Sequence, residues 1–286
     1  MRREKISRPE KMEIVESTLV EGDALSTLRR LPDNTVQTIV TSPPYWGLRD
    51  YNTADQIGLE ETLPQFIGTL VSVFSEAKRV LKEDGVLWLN IGDGFTSGNR
   101  RWRAPDKKNP ARAMNVRPDT PEGLKPKDLL GIPWRLALAL QENGWYLRAD
   151  IIWNKPNAMP ESVKDRPTRS HEYVFMLTRS ERYYYDRNAV LEKNGRNRRS
   201  VWNVNTQPFP EAHFATFPPQ LIEPCILSSS RKGDFILDPF FGSGTVGLVA
   251  EHLKRNYVGI EIQPEYVEIA ARRLAKDQQS IVRIAA

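Results

Sequence analysis

The sequence has one cysteine, Cys225, and only three histidines, His171, His213 and His252, in 286 residues. A single thiol excludes an internal disulfide, and three scattered imidazoles form no metal-ligand spacing. No apolar run is long enough to span a bilayer, and Met1-Arg-Arg-Glu-Lys leads into no apolar h-region of a secretory signal. A cytoplasmic protein without metal or membrane partner is therefore expected. The excess of one sign of charge is small: 41 Lys and Arg against 36 Asp and Glu leave a net of +5, which suits a polyanion partner without requiring one. What remains, 40% hydrophobic residues over this length, is enough for one large core. Residues 1–286 are expected to form a single domain.

The densest local signal lies late, at Asp234 to Thr245, D-F-I-L-D-P-F-F-G-S-G-T. Phe235 to Leu237 reads as a short buried parallel strand. Asp238-Pro239 stops it, Gly242 and Gly244 turn the backbone, and an apolar helix follows over Val246 to Leu253. A further strand, Tyr257 to Ile260, ends in Glu261, an acid placed to hold a ribose diol. Gly242, Gly244 and Gly247 also spell the G-x-G-x-x-G of dinucleotide sites, with an acid about 20 residues on. S-adenosylmethionine is the other ligand that fits, because Asp238 can take its cationic amino group.

The N-terminal part supplies a second motif. Glu13 to Val20 reads as a strand closing on Gly22-Asp23-Ala24, and Leu25, Leu28 and Leu31 give one helical face. Val36 to Val40 is an apolar strand that runs into Thr41-Ser42-Pro43-Pro44-Tyr45-Trp46, at the strand end where α/β sheets place their chemistry. An exocyclic base amine is a poor nucleophile because its lone pair is delocalised into the ring. Acceptors on its N–H groups, Ser42 Oγ and the Pro43 carbonyl, would free that lone pair. Pro44 has no N–H and fixes φ, and Tyr45 offers a face to a flipped base.

Taken together, these pieces resemble the amino-methyltransferases of DNA, in the arrangement with the catalytic motif first and the cofactor loop last. The resemblance covers Gly22-Asp23, Thr41 to Tyr45, Trp153 to Pro156, His213 to Pro218, Asp238 to Thr245 and Gly259 to Glu261. It implies a circularly permuted, doubly wound α/β methyltransferase fold, with a mostly parallel seven-stranded sheet, one antiparallel edge pair and irregular DNA-recognition insertions. The cofactor implied is S-adenosyl-L-methionine, held by Asp23, Ala24, Thr41, Phe217, Asp238, Pro239, Phe240, Gly242, Ser243, Gly244, Thr245, Glu261 and Ile262. Catalysis would fall to Ser42, Pro43, Pro44 and Tyr45. The partner implied is double-stranded DNA; a cognate restriction endonuclease and a monomer or homodimer are compatible with it. An Asp or Asn at position 42 is the usual companion of adenine in this family and Ser is more often seen with cytosine, so cytosine N4 is the expected target over adenine N6. Methylation of RNA or of a protein amide, and a silent DNA-binding protein, are the rivals.

The rest of the chain continues the sheet. Phe66 to Leu81 is an amphipathic helix, ended by Glu83-Asp84-Gly85 ahead of a strand at Val86 to Ile91. Ile132 to Gln141 is helical, Tyr146 to Trp153 is a strand, and His171 to Thr178 is expected to pair with it antiparallel. Thr216 is a candidate N-cap for a helix at Phe217-Pro218-Pro219, and Glu265 to Leu274 closes the chain as a helix. Cys225 reads as core rather than nucleophile. Residues 95–127 lack periodicity, and from Arg100 to Lys127 nine Lys or Arg stand against three acids. This basic insertion is expected to contact DNA through Arg100, Arg101, Trp102 and Arg103. Lys155, Lys164, Arg166 and Arg169 could face the phosphate backbone. Residues 181–212, with Arg196, Arg198 and Arg199, form a short target-recognition segment.

Overall fold

Apolar residues run almost without interruption along the central strands, as in Val86 to Leu89 and Val174 to Leu177, so both faces of the sheet must be covered. The computed structural model, which describes residues 11–48, 56–97, 119–207 and 217–284, shows how. In chain order the strands are β1 (Thr18–Glu21), β2 (Val36–Thr41), β3 (Leu81–Ile91), β4 (Tyr146–Asn154), β5 (His171–Thr178), β6 (Val201–Asn203), β7 (Phe235–Asp238) and β8 (Asn256–Glu261). The helices are α1 (Ala24–Arg30), α2 (Leu63–Val80), α3 (Ile132–Glu142), α4 (Pro219–Ser229), α5 (Thr245–His252) and α6 (Pro264–Ile284). The strands form one sheet in the order β1-β8-β7-β2-β3-β5-β4-β6.

Helices α1 to α3 cover one face, where Leu28, Phe66, Phe74 and Leu136 pack on Ile39, Leu87, Leu177 and Leu237. The other face carries Val40, Trp88, Met176 and Ile236, met by Leu221 and Ile226 of α4, Val246 of α5 and Ala270 of α6. Helix α2 shows how local sequence sets these elements. Thr62 and Gln65 form a reciprocal capping box, Pro64 stands in the first turn, and Phe66, Leu70, Val73, Phe74 and Ala77 line the buried side. Phe74 is fully buried. Phe74→Ala is expected to cost about 3–5 kcal/mol, read as a fall in the denaturation midpoint at unchanged slope.

The permuted strand order is present: β1 lies parallel to β8, with Thr18 opposite Val258 and Glu21 opposite Glu261. Four expectations need correction. Strand β1 starts at Thr18 rather than Glu13: its first pair on β8 is Val258, and the preceding Tyr257 N–H donates to the Ser17 hydroxyl at 3.3 Å instead of to a main-chain partner. Glu83-Asp84-Gly85 does not separate helix from strand. Leu81 already pairs with Val36 and the register then jumps to Thr38 opposite Val86, so these residues form a bulge within β3. The helix after Phe217 is capped by Pro218 without a side-chain bond, while Thr216 lies outside the described residues. Last, the sheet has eight strands among the described residues rather than seven. Val201–Asn203, from the expected recognition segment, pairs parallel with β4 and covers the outer edge of the antiparallel β4–β5 pair.

Candidate active site

Strands β1, β8, β7, β2 and β3 all run parallel, so their carboxyl ends share one edge of the sheet. Chain progression reverses between β7 and β2: from β2 the chain steps outward to β3, and from β7 it steps the other way to β8. That reversal opens the crevice where open α/β sheets bind ligands. The residues at its two lips are Asp238 and Thr41. Thr41 Oγ1 donates to Asp238 Oδ1 at 2.6 Å, and the Phe240 N–H donates to the same oxygen at 3.0 Å.

The glycine loop is built to bring backbone close to that crevice. Gly242 and Gly244 have φ of +51° and +80°, a region that favours glycine. Phe241 folds its ring over Gly259, where any Cβ would lie 2.5 Å from the ring, and stacks on Tyr257 at 5.5 Å. Glu261 gathers the loop: its Oε2 accepts from the Gly242 N–H at 2.7 Å and its Oε1 from the Gln263 N–H at 2.9 Å. From α6, Arg273 donates to the Ser243 carbonyl, Ser243 Oγ and Thr245 Oγ1 at 3.0–3.2 Å. The side chains of Ser243 and Thr245 are therefore buried and tied to Arg273, which leaves their backbone as the part able to meet a ligand.

Two buried carboxyl groups thus stand close to one another. Burial raises Asp238 to about 7, Thr41 and the Phe240 N–H oppose the rise, and the charge of Glu261 adds to it. Burial likewise raises Glu261, against the pull of the backbone N–H groups of Gln263, Gly242 and Ile262. Asp23 caps α1, accepting from the Ser26 N–H at 2.8 Å, with Ala24 as the first helical residue. Pro239 is buried, Phe240 packs edge-on against Phe74 at 6.5 Å, Ile262 is half-buried, and Phe217 joins the core beneath α4.

Ser42 and Pro44 are half-buried beyond Thr41, Pro43 is buried, and the Trp46 indole N–H donates to the Glu60 carbonyl at 2.9 Å. Tyr45 borders a cavity of about 160 Å³ lined also by Ile91, Gly92, Asp93, Leu130 and Ile132. Asp93 is fixed there by the N–H groups of Gly94 and Ile132. The Tyr45 hydroxyl donates to Glu172 Oε2 at 3.0 Å. Burial raises this phenol well above its usual range, as does the charge of Glu172, while Ser42 and the Gly92 N–H act on the same oxygen in the opposite sense.

Several basic residues turn out to be committed within the protein. Lys155 pairs with Glu172 at 2.5 Å and lies over the Trp153 ring at 4.1 Å. Arg166 pairs with Glu161 and stacks on Phe95, and Arg169 stands 3.8 Å from Asp93. Lys164 is exposed, as are Arg196, Arg198 and Arg199, the last two touching Trp202 and Glu192 respectively. Arg100, Arg101, Trp102 and Arg103 lie outside the described residues. Sequence reasoning missed Phe241, Arg273, Asn90 and Glu172.

A switch-point crevice that joins an acid-bearing glycine loop to a proline-stiffened loop defines an α/β enzyme of the methyltransferase type. Comparison with known proteins narrows this. A family model of the N6/N4 type, described as DNA methylase, matches residues 36–272, and the chain belongs to that family. It is 69% identical over 287 residues to the Type II methyltransferase M.Cfr9I of Citrobacter freundii, covering 99% of this chain and 96% of that protein. Among solved structures it resembles TTHA0409, a putative DNA modification methylase of Thermus thermophilus complexed with S-adenosyl-L-methionine, with a TM-score of 0.67, 26% identity and coverage of 91% and 94%. The fold is also that of the PvuII DNA methyltransferase (cytosine-N4-specific), with a TM-score of 0.69, 21% identity and coverage of 97% of each chain.

Proposed function

We propose that this chain is a Type II DNA methyltransferase that moves the methyl group of S-adenosyl-L-methionine to the N4 amine of a cytosine flipped out of duplex DNA. The observation that carries the reading is the 2.6 Å bond between Thr41 and Asp238. It makes the glycine loop and the Ser42–Tyr45 loop two lips of one crevice.

The residues fit this cofactor better than a dinucleotide. A pyrophosphate at the glycine loop would add negative charge beside two buried carboxyl groups that already disfavour each other's ionisation. A cationic amino group relieves that strain at Asp238, and Glu261 has lone pairs left for two ribose hydroxyls. When bound, S-adenosylmethionine supplies an electrophilic methyl group on a sulfonium. The chain's task is then placement more than acid–base chemistry. Ser42 Oγ and the Pro43 carbonyl accept the two N–H bonds of the target amine and free its lone pair. Pro44 holds that carbonyl outward, and the Tyr45 ring stacks on the base. With Asp238 and Glu261 holding the cofactor and Ser42 and Pro43 the amine, the methyl group would pass from sulfur to that nitrogen, leaving its bonding pair on sulfur, and the amine proton would go to water.

Residues 95–127 and 181–212 are the proposed DNA-contacting segments. The neutral Ser42 hydroxyl is the ground for cytosine over adenine. DNA from a methylation-free host expressing the protein, digested to nucleosides and separated by mass, is expected to contain N4-methyl-deoxycytidine. N6-methyl-deoxyadenosine in its place would overturn the base assignment, and neither product would overturn the enzyme reading.

A further inference from the structure

Strand β5 is the one strand of this sheet, among those described, that runs against its neighbours. Its reversal has a chemical result. The start of β5 arrives where β3 and β4 end, so Glu172 is carried to the edge that holds the Ser42–Tyr45 loop. Four pieces of chain then meet at one carboxylate. Oε2 accepts from the Tyr45 hydroxyl at 3.0 Å and from Asn90 Nδ2 at 3.2 Å, and Oε1 accepts from Lys155 Nζ at 2.5 Å. The supporting groups are themselves fixed. Asn90 Nδ2 also donates to the Tyr173 carbonyl, and the Lys155 N–H donates to the Ser170 carbonyl at 2.7 Å.

An ion pair that only stapled β4 to β5 would have no need of Tyr45, which belongs to a loop 127 residues away in sequence. The phenol ring lies so close along Gly92 that a Cβ there would stand 2.9 Å from the ring. The ring is therefore held on one side by bare backbone and at its tip by a charge-assisted hydrogen bond, a stronger tether than a neutral acceptor would give.

We propose that Glu172 is the positioning residue for Tyr45: it holds the phenol in one orientation so that the ring presents its face to the target base, while Lys155 neutralises the carboxylate. This inference rests on the methyl-transfer reading above. The test is a double-mutant cycle on single-turnover methyl transfer, using Tyr45→Phe, Glu172→Gln and the combined variant on a duplex carrying the site the protein methylates. Each single change is expected to slow transfer roughly 10-fold by releasing the ring. The combined variant should be no slower than the slower single, with S-adenosylmethionine affinity within about twofold of wild type throughout. If Glu172→Gln strands Lys155 and unfolds the protein, adding Lys155→Met removes the stray charge and the cycle is run on that background. Losses that multiply, or wild-type transfer in Glu172→Gln, would overturn the proposal. Transfer by the wild-type protein in the same assay carries the underlying reading, so a failed cycle falls on Glu172 alone.

Discussion

Calorimetric titration of a Glu261→Ala variant with S-adenosylmethionine should give an affinity roughly 10- to 100-fold below wild type. Two losses combine. The first is the charge-assisted bonds to the ribose hydroxyls. The second is internal: the N–H groups of Gly242 and Gln263 both end on this carboxylate, and the substitution leaves both without an acceptor. Gly242 sits at positive φ, a conformation the loop must be held in before a ligand arrives. Glu261→Gln can satisfy one of the two N–H groups and should fall between the variant and wild type. The link to β1 is unaffected, since the Gly22 N–H donates to the Glu261 main-chain carbonyl. An unchanged affinity in Glu261→Ala would show that the diol is bound elsewhere.

How far such a site can be read in advance depends on how local its causes are. The glycine loop and Thr41 to Tyr45 were legible because strand, breaker and turn residues follow one another within a dozen positions. The place of β1 beside β8 was legible through the resemblance, which implied a permuted fold with the first strand on the cofactor side. The bulge in β3 was not. Leu81 is helix-periodic and strand-paired at once, and Gly85 is needed there because a Cβ would meet the Leu81 side chain at 2.5 Å. Nor was β6, three residues long, held to β4 by main-chain bonds and with Trp202 beside Trp88 at 6.3 Å between ring centres. Glu172 was hidden for a topological reason. In the sequence it is a polar residue at the start of an apolar run. The reversal of β5 was expected, but the meeting of its first residues with a loop 127 residues earlier in sequence was not. Lys155 was read as a phosphate contact because its charge was visible and its partner was not.

The other large effect concerns Asp238, the proposed partner of the cofactor's amino group, and it has opposite signs for binding and for stability. Asp238 is 2% exposed, and its carboxyl is raised from 3.8 to about 7 in the ligand-free protein. Between those values the folded state binds more protons than the unfolded chain, so this group's contribution to stability falls as pH rises. The loss across the window is on the order of 4 kcal/mol. Binding a cation requires the ionised form, so affinity for S-adenosylmethionine should fall about tenfold per pH unit below 7. Asp238→Asn removes the titration yet keeps an oxygen for Thr41 and the Phe240 N–H. That variant should therefore melt higher than wild type at pH 8 and show no fall from pH 5 to 8 from this group, while binding S-adenosylmethionine roughly 100-fold more weakly. Wild type at pH 8 should regain its midpoint when S-adenosylmethionine is added in excess, and Asp238→Asn should gain far less. Melting curves of the two proteins at pH 5 and pH 8, with and without the cofactor, separate these effects. Midpoints that track each other across pH would show that Asp238 is ionised without cost and that the cation is not what it awaits.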